Sequence, residues 1–433
     1  MAQTIKKAFM PNLTAPRGTQ DVIPPLSGLW QELEARIHEL ARGFGYGEIR
    51  TPAFEATELF IRGVGELTDI VEKEMYSFTD RGGRSLTLRP ELTAPVVRAA
   101  LESNLLSSGG ARLYYLGPIF RYERPQRGRF RQSHQFGVEC FGYRGAEADF
   151  EVIQLAWELA RQYQLSGLEL HINTIGDETC RPAYRSALKA YFNAHRSVLS
   201  EDSRRRLERN PLRILDSKAP EDAAIIADAP PFESMLCDAC RAHFDMLKHY
   251  LEEAEIAFRV NPRIVRGLDY YTRTVFEIMS DALGAQSAVC AGGRYDDLVR
   301  SLGGPEVPAV GFALGIERFL MVLESSKSSL DGQRSGIQLI ALGAQARERL
   351  VHLLGYLRQS GGLPAFMDYE DRKLLAQLKI ADRNNARYAL IAGDDELASG
   401  QLVLRDLATR LDRSIPFKYE KDTAAEIVKM ALS

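Results

Sequence analysis

The sequence predicts an α+β protein in which two blocks of strands flank a helical insertion and a smaller α/β domain follows. Three observations carry this. Strand-like stretches cluster in residues 1–179 and return over 256–324. Between them, residues 180–255 read as charged helices with no strand pattern. Beyond a linker-like run, SSKSSLDGQRS (325–335), residues 336–433 alternate strand and helix, the pattern of a small domain with a largely parallel sheet.

The elements follow in order. Pro24 and Pro25 announce a helix, and Ser27 is the candidate N-cap. Leu29, Trp30, Leu33, Ile37, Leu40, Ala41 and Phe44 recur at helical spacing, and Gly45 ends the run. EIRTPAFE (48–55) and SLTLRP (85–90) read as strands. Thr93, Ala94 and Pro95 read as the cap and first turn of VVRAALES. RLYYLGPIFRYE opens a hairpin, and a helix follows at about 147–164. RIVRGLDYYTRTVFEIM and AVCAGGRYDDLV carry the later strands, and GIERFLMVLES the helix that closes the block. The C-terminal domain has no GxGxxG motif, which argues against a dinucleotide role.

Composition sets limits. The 433 residues are 45% hydrophobic and 26% charged, ordinary for a globular protein of two or three domains. A net charge of -3 excludes a global nucleic-acid footprint, so any such contact must be a local patch. No apolar run reaches membrane-spanning length, the first twenty residues lack a signal-peptide pattern, and the five cysteines are an odd number. Together these make a reducing, cytoplasmic setting the expectation.

The chemistry concentrates in FRYERPQRGRFRQSHQFGVECFG (120–142). Arg121, Arg124, Arg127, Arg129 and Arg131 fall within eleven residues around a Pro-Gln-Arg-Gly turn. Guanidinium forks aimed from a hairpin grip phosphate bidentately. Strand alternation puts Ser133, Gln135, Gly137 and Glu139 on one polar face and His134, Phe136, Val138 and Cys140 on a core-like one. Before the turn, Arg121 and Glu123 share a face. The alternative is a solvated surface hairpin. Three further segments are weaker alone. Glu91 and Thr93 are suited to a ligand ammonium or to a helix cap. Arg266 with Tyr270 and Tyr271 suits a carboxylate and a flat polar ring, or a strand core. Arg318 lies in the first turns of a helix after a Gly-rich strand.

In this order the segments resemble the class II aminoacyl-tRNA synthetases. FRYE with its arginines resembles the second signature motif, GFALGIERF the third, and the helix and strand ending in EIRTPAFE the first. LRPE-T, RGLDYY and AGGRYDDL resemble the histidyl-tRNA synthetase family in particular, and the likeness runs from about Arg17 through the C-terminal domain. It implies an antiparallel sheet flanked by helices, a C-terminal anticodon-binding domain, a homodimer built through the first motif, and a histidine–tRNA ligase of protein biosynthesis. That activity joins L-histidine to ATP, with Mg²⁺, releases pyrophosphate and passes the histidyl group to the 3′ end of tRNA(His). By resemblance Arg121 holds the α-phosphate, Arg129 and Arg318 the outer phosphates, and Glu123 the adenine side. Glu91, Thr93 and Gln135 receive the α-ammonium, and Glu139 and Tyr271, with Tyr270 nearby, read the imidazole. Arg266 spans the carboxylate and the α-phosphate.

The sequence departs from the family pattern in places. Ser133 stands where the family usually has a ring against adenine, which implies weaker ATP binding or compensation by Phe130. RPELTAPVVR leans toward a noncatalytic paralogue, the histidine-sensing regulatory subunit of ATP phosphoribosyltransferase. That paralogue generally lacks the C-terminal domain and the arginines present here. In the insertion, Cys237, Cys240 and His243 fall in one expected helix, with Cys180 upstream, so they read as ordinary thiols and no structural metal is expected. Arg204, Arg205, Arg206, Arg209 and Arg213 form a basic cluster suited to the tRNA acceptor stem, or, with Glu201, Asp202 and Glu208, a solvated helix face.

Overall fold

In a computed structural model, the chain divides into two compact units, Met1–Ser328 and Ser329–Ser433. The structure describes residues 13–432 other than 67, 108, 265–269, 284–287, 327–333 and 361. Arg266, assigned above to the carboxylate and α-phosphate, and most of the linker run therefore lie outside the described residues.

The first unit runs α1 (Leu26–Gly43), β1 (Gly47–Glu48), β2 (Phe54–Ala56), α2 (Thr57–Val64), β3 (Tyr76–Thr79), β4 (Ser85–Leu88), α3 (Thr93–Glu102), β5 (Ala111–Phe120), β6 (Gln132–Phe141), α4 (Ala146–Gln162) and β7 (Leu168–Thr174). Then come α5 (Arg181–Ala194), α6 (Glu201–Arg209), α7 (Ala223–Ala227) and α8 (Asp238–Glu253). It closes with β8 (Phe258–Val260), β9 (Thr272–Ser280), β10 (Ala288–Arg294), α9 (Leu298–Ser301), β11 (Ala309–Gly315) and α10 (Ile316–Ser325).

The main sheet has the order β1-β5-β6-β11-β10-β9-β7-β8. Its interior pairings are antiparallel, and only the short edge strands β1 and β8 pair in parallel. Helix α4 packs across β6, β9, β10 and β11, and α1 packs on α4. Strand β6 shows why: Phe136, Val138 and Cys140 are fully buried.

Several local expectations are corrected. Ser27 is not the N-cap of α1. The helix starts at Leu26 after Pro25, whose backbone is already helical (φ -82°, ψ -12°), so it begins without a side-chain cap. Gly45 does end it, in a left-handed conformation at φ +80°. EIRTPAFE is not one strand. Pro52 cannot donate to a ladder, so β1 joins the main sheet while β2 enters a separate sheet of order β2-β4-β3. The arginines lie beyond the main ladder, tied by an Arg121–Arg131 backbone hydrogen bond and an isolated Gln126↔Arg129 bridge. The ladder closes at Phe120↔Gln132, and residues 121–131 form a long connection beyond it.

The second unit contains β12 (Ile337–Ala341), α11 (Ala344–Gln359), β13 (Ala365–Met367), α12 (Leu374–Arg383), β14 (Tyr388–Ala392), α13 (Asp394–Ser399), β15 (Gln401–Asp406), β16 (Asp412–Pro416) and α14 (Glu420–Leu432). Its sheet order is β13-β12-β14-β15-β16. The expectation of a largely parallel sheet holds for one half only. β12 pairs in parallel with β13 and β14, whereas β14, β15 and β16 pair antiparallel. The connections after β14 are too short for the longer crossover that a parallel strand needs.

Candidate active site

A cavity of about 400 Å³ opens on the polar face of the main sheet. Its lining brings together Arg121, Glu123, Arg129 and Arg318 with Glu91, Thr93, Gln135, Glu139, Tyr270 and Tyr271.

One end is cationic. Arg121 donates from Nε to the Pro90 carbonyl at 2.7 Å, which fixes its stem. Glu123 lies between Arg121, at 3.8 Å, and Arg129, at 3.1 Å. Arg318 donates to the carbonyls of Gly128 (3.0 Å) and Ala288 (2.6 Å), tying α10 to the arginine connection and to β10. Burial and the neighbouring Arg129 push its pKa down. Three guanidinium groups thus gather around Glu123, with Glu277 also in the lining, and clustered guanidinium forks suit a polyphosphate.

The other end is aromatic and acidic. The carboxylate of Glu91 accepts from the backbone amides of Thr93 (2.7 Å) and Ala94 (3.0 Å), so it caps α3 while lining the cavity. Capping and ligand-facing readings of this residue therefore coexist. Glu139 is almost fully buried. Its Oε2 accepts a hydrogen bond from Tyr295, while Oε1 has no hydrogen-bond partner among the described residues. Burial pushes its pKa up to about 8, against the opposing effect of Tyr295. Tyr270, Tyr271 and Tyr295 cluster beside it, with ring centroids 4.7 to 6.4 Å apart. Glycines clear the floor. A Cβ on Gly137 would run into the Tyr115 ring, and one on Gly311 into the Glu139 carboxylate. Gln135 also lines the cavity, and its buried Oε1 has no partner among the described residues. A pocket with flat tyrosine walls and a buried carboxyl suits a small aromatic ligand carrying N–H donors.

Ser133 lines the middle of the cavity, as does Phe130. His134 is half-buried rather than core. Its backbone amide and Nδ1 contact Glu317 at 3.0 and 2.9 Å, and its ring meets Trp30 edge-on.

The family model for histidyl-tRNA synthetase matches residues 18–319. The chain belongs to the histidyl-tRNA synthetase family. An anticodon-binding domain model matches residues 337–426. The chain is 50% identical over 396 residues to a histidine–tRNA ligase of Desulfitobacterium hafniense, covering 90% of this chain and 93% of that one. It is 48% identical over 417 residues to the enzyme of the same name from Pelotomaculum thermopropionicum, covering 95% and 98%. Among solved structures it resembles apo histidyl-tRNA synthetase of S. aureus, with a TM-score of 0.79 and 35% identity over 98% of this chain and 100% of that one. These likenesses place the fold with the histidyl-tRNA synthetases, an antiparallel catalytic sheet with an anticodon-binding domain.

Within this histidyl-tRNA synthetase fold, sequence reasoning missed several lining residues. Tyr295 lies in the quoted AGGRYDDL segment, yet only the fold brings its hydroxyl to Glu139. Tyr115 could have been found by its pairing opposite Gly137. Glu277, on β9, adds a carboxylate to the lining. Asp216 and Lys218 reach the cavity from the insertion, and no local signal marks them. In the basic cluster, Arg205 and Arg206 pair with Asp202 at 3.0 and 2.8 Å, whereas Arg204 is exposed beside them.

Proposed function

We propose that the chain activates L-histidine with ATP and then charges tRNA(His), and that the roles assigned by resemblance hold at these positions. One observation carries the reading: a single cavity has three converging arginines at one end and, at the other, a buried carboxyl with one unpartnered oxygen among tyrosines. In the first step a carboxylate oxygen of histidine bonds to the α-phosphorus, the bond to the β-bridging oxygen breaks, and pyrophosphate leaves. The substrate supplies the nucleophile, so the protein's part is positioning and charge stabilisation. Arg121 and Arg129 meet the charge that grows on the phosphates, and Arg318 holds the outer phosphates and covers the adenine. Arg266, outside the described residues, is assigned to the histidine carboxylate and α-phosphate. In the second step a hydroxyl of the terminal tRNA ribose attacks the histidyl carbonyl, and AMP leaves.

Glu277 would offer a hard oxygen donor to the Mg²⁺ that accompanies ATP, and the ion would add charge neutralisation at the phosphates. Glu91, Thr93 and Gln135 receive the α-ammonium, and Glu139 with Tyr271 and Tyr270 reads the imidazole. A site built around a buried carboxyl rejects ligands that leave it unpaired. The regulatory reading is disfavoured because the anticodon-binding model and the motif arginines are both present.

Histidine-dependent ATP–pyrophosphate exchange, followed by charging of tRNA(His), tests this. Exchange without charging would return the chain to the regulatory reading. Arg204 and its neighbours are proposed to touch tRNA phosphates. Arg204→Ala should then lower the slope of log affinity against log salt by up to about one, and an unchanged slope would remove the assignment. A cytoplasmic homodimer is also proposed. Phe54 and Phe78 stack edge-to-face at 6.5 Å while about half exposed, an apolar patch next to the first motif. Sedimentation showing only monomer would exclude it. No helix among the described residues is long and apolar enough to cross a membrane.

A further inference from the structure

The cysteines of the insertion gather at the starts of two helices. Cys237 is the N-cap of α8 and Cys240 sits in its first turn, while Cys180 is the N-cap of α5. His243, one turn further on, points elsewhere: its Nε2 lies 3.3 Å from the Asp149 carboxylate. Asp177, in the loop after β7, takes the place that histidine would have filled. The ligand atoms of Asp177, Cys180, Cys237 and Cys240 all lie within 4.8 Å of one another.

The spacings match a coordination polyhedron. Cys180 Sγ is 3.8 Å from Cys240 Sγ and 3.6 Å from Asp177 Oδ1, and Cys237 Sγ is 4.0 Å from the same oxygen. With metal–sulfur bonds of about 2.3 Å and a metal–oxygen bond of about 2.0 Å, the edges of a zinc tetrahedron are about 3.8 Å for sulfur to sulfur and about 3.5 Å for sulfur to oxygen. The thiols are free, and the separation far exceeds the ~2.05 Å of a disulfide bond.

We propose that Asp177, Cys180, Cys237 and Cys240 bind one zinc ion that staples the helical insertion to the catalytic sheet.

The surroundings fit this role. Three thiolates and one carboxylate around Zn²⁺ leave a charge of about -2. Arg273 donates to Asp177 Oδ2 at 3.2 Å, leaving Oδ1 turned toward the sulfurs. The amino ends of α5 and α8 converge on the same point, and helix N-termini favour thiolate. Soft sulfur donors select zinc over magnesium or calcium. Cys180 and Cys240 are buried, whereas Asp177 and Cys237 are partly exposed and leave a way in. Gly176 has φ +60°, and a Cβ there would strike Cys180 Sγ, so the loop is shaped around the cluster.

The site also bears on the cavity. Arg181, the first residue of α5, donates to the carbonyl of Tyr271 at 2.7 Å. The amide of Arg273 donates to Gly176 at 2.7 Å. A metal that fixes the start of α5 would therefore hold the start of β9, next to the tyrosines, against the insertion.

The test is the metal content of the full chain, purified under reducing conditions from zinc-supplemented cells. The expected result is about one zinc per chain, released on mercurial titration of the thiols. Cys240→Ser and the milder Asp177→Asn should each lose most of it. Chelation of the wild type should lower its unfolding temperature, and added Zn²⁺ should restore it. Cobalt substitution should give the intense absorption of tetrahedral thiolate. Less than about a tenth of an ion per wild-type chain, with no cobalt spectrum, would overturn the proposal. So would a Cys180–Cys240 disulfide in the freshly purified protein. Metal content reads the wild type directly, so misfolded variants would not obscure the outcome.

Discussion

Tyr295 donates a hydrogen bond to Oε2 of Glu139, and Oε1 of that buried carboxyl has no partner among the described residues. Burial and the adjacent Glu139 keep the phenol protonated, so it stays a donor. One oxygen is held in place and the other is presented to the cavity. The proposed reading of an imidazole by Glu139 rests on this division, because a carboxyl free to rotate would lose geometric selectivity.

The pH dependence follows from this pair. The carboxyl titrates near 8 in the folded protein, against 4.5 ordinarily. Free histidine's imidazole titrates near 6.5. An imidazolium–carboxylate pair holds one proton, so histidine binding should release a proton below about pH 6.5 and take one up above about 8. The kcat/KM for histidine in pyrophosphate exchange should be bell-shaped. Glu139→Gln should remove the upper limb and lower kcat/KM by about tenfold to a hundredfold, the worth of a charged hydrogen bond. The same shift acts on stability. The folded state binds the extra proton, so this group's contribution is full below pH 4.5 and is lost as pH rises through about 8. An upper limb unchanged in the variant would remove Glu139 from imidazole recognition.

The arginines should act on the chemical step. Arg121→Ala and Arg129→Ala should each lower kcat for exchange by about 100- to 1,000-fold, the usual loss when one fixed transition-state donor is removed. Arg266→Ala should nearly abolish exchange. Near-normal exchange in that variant would refute its role.

Phe130 lines the cavity beside Ser133. If Phe130 supplies the adenine stack that Ser133 cannot, Phe130→Ala should raise KM for ATP by about 5- to 150-fold, matching 1–3 kcal/mol per stacked base. KM for histidine should not move. An unchanged KM for ATP would mean that no ring at this position stacks on the base.

Asp149 on α4 accepts from Arg294 on β10, both fully buried, and lies 3.3 Å from His243 on α8. Burial opposes its charge, yet Arg294 and His243 hold its carboxyl well below the usual range. Its stabilising contribution is therefore present above the ordinary carboxylate pKa of 3.8 and is lost as pH falls below it. Asp149→Asn should destabilise the first unit by about 2–3 kcal/mol, because Arg294 would lose its fully buried counter-charge and keep Asp296, at 3.2 Å. Urea unfolding followed by fluorescence of the buried Trp30 measures this, and a loss under about 1 kcal/mol would contradict it.

Much of the site was legible in the chain because strand periodicity is local. Once β6 was read as a strand, Ser133, Gln135 and Glu139 had to share a face opposite Phe136, Val138 and Cys140, and the structure keeps that division. Turn chemistry also read well at Gly45, where φ is +80°. It read poorly at Ser27, because its amide bonds the Ile23 carbonyl and that of Gly28 the Pro25 carbonyl, so the first turn closes without a side-chain cap.

The sequence by itself determined the order of elements, the faces of the strands and the residue types at the cationic and the aromatic, acidic ends of the cavity, all consequences of backbone geometry over a few residues. Only the tertiary structure decided which distant groups meet. Tyr295 reaches Glu139 across 156 positions, Arg294 reaches Asp149 across 145, and the Cys180 and Cys240 sulfurs meet across 60. These pairings depend on how β9, β10 and β11 lie beside β6 and on where α5 and α8 begin. Short-range spacing carries no information about such approaches, since they are fixed by packing of the whole unit. For the same reason the thiols looked inert in the chain and form a coordination-sized cluster in the fold.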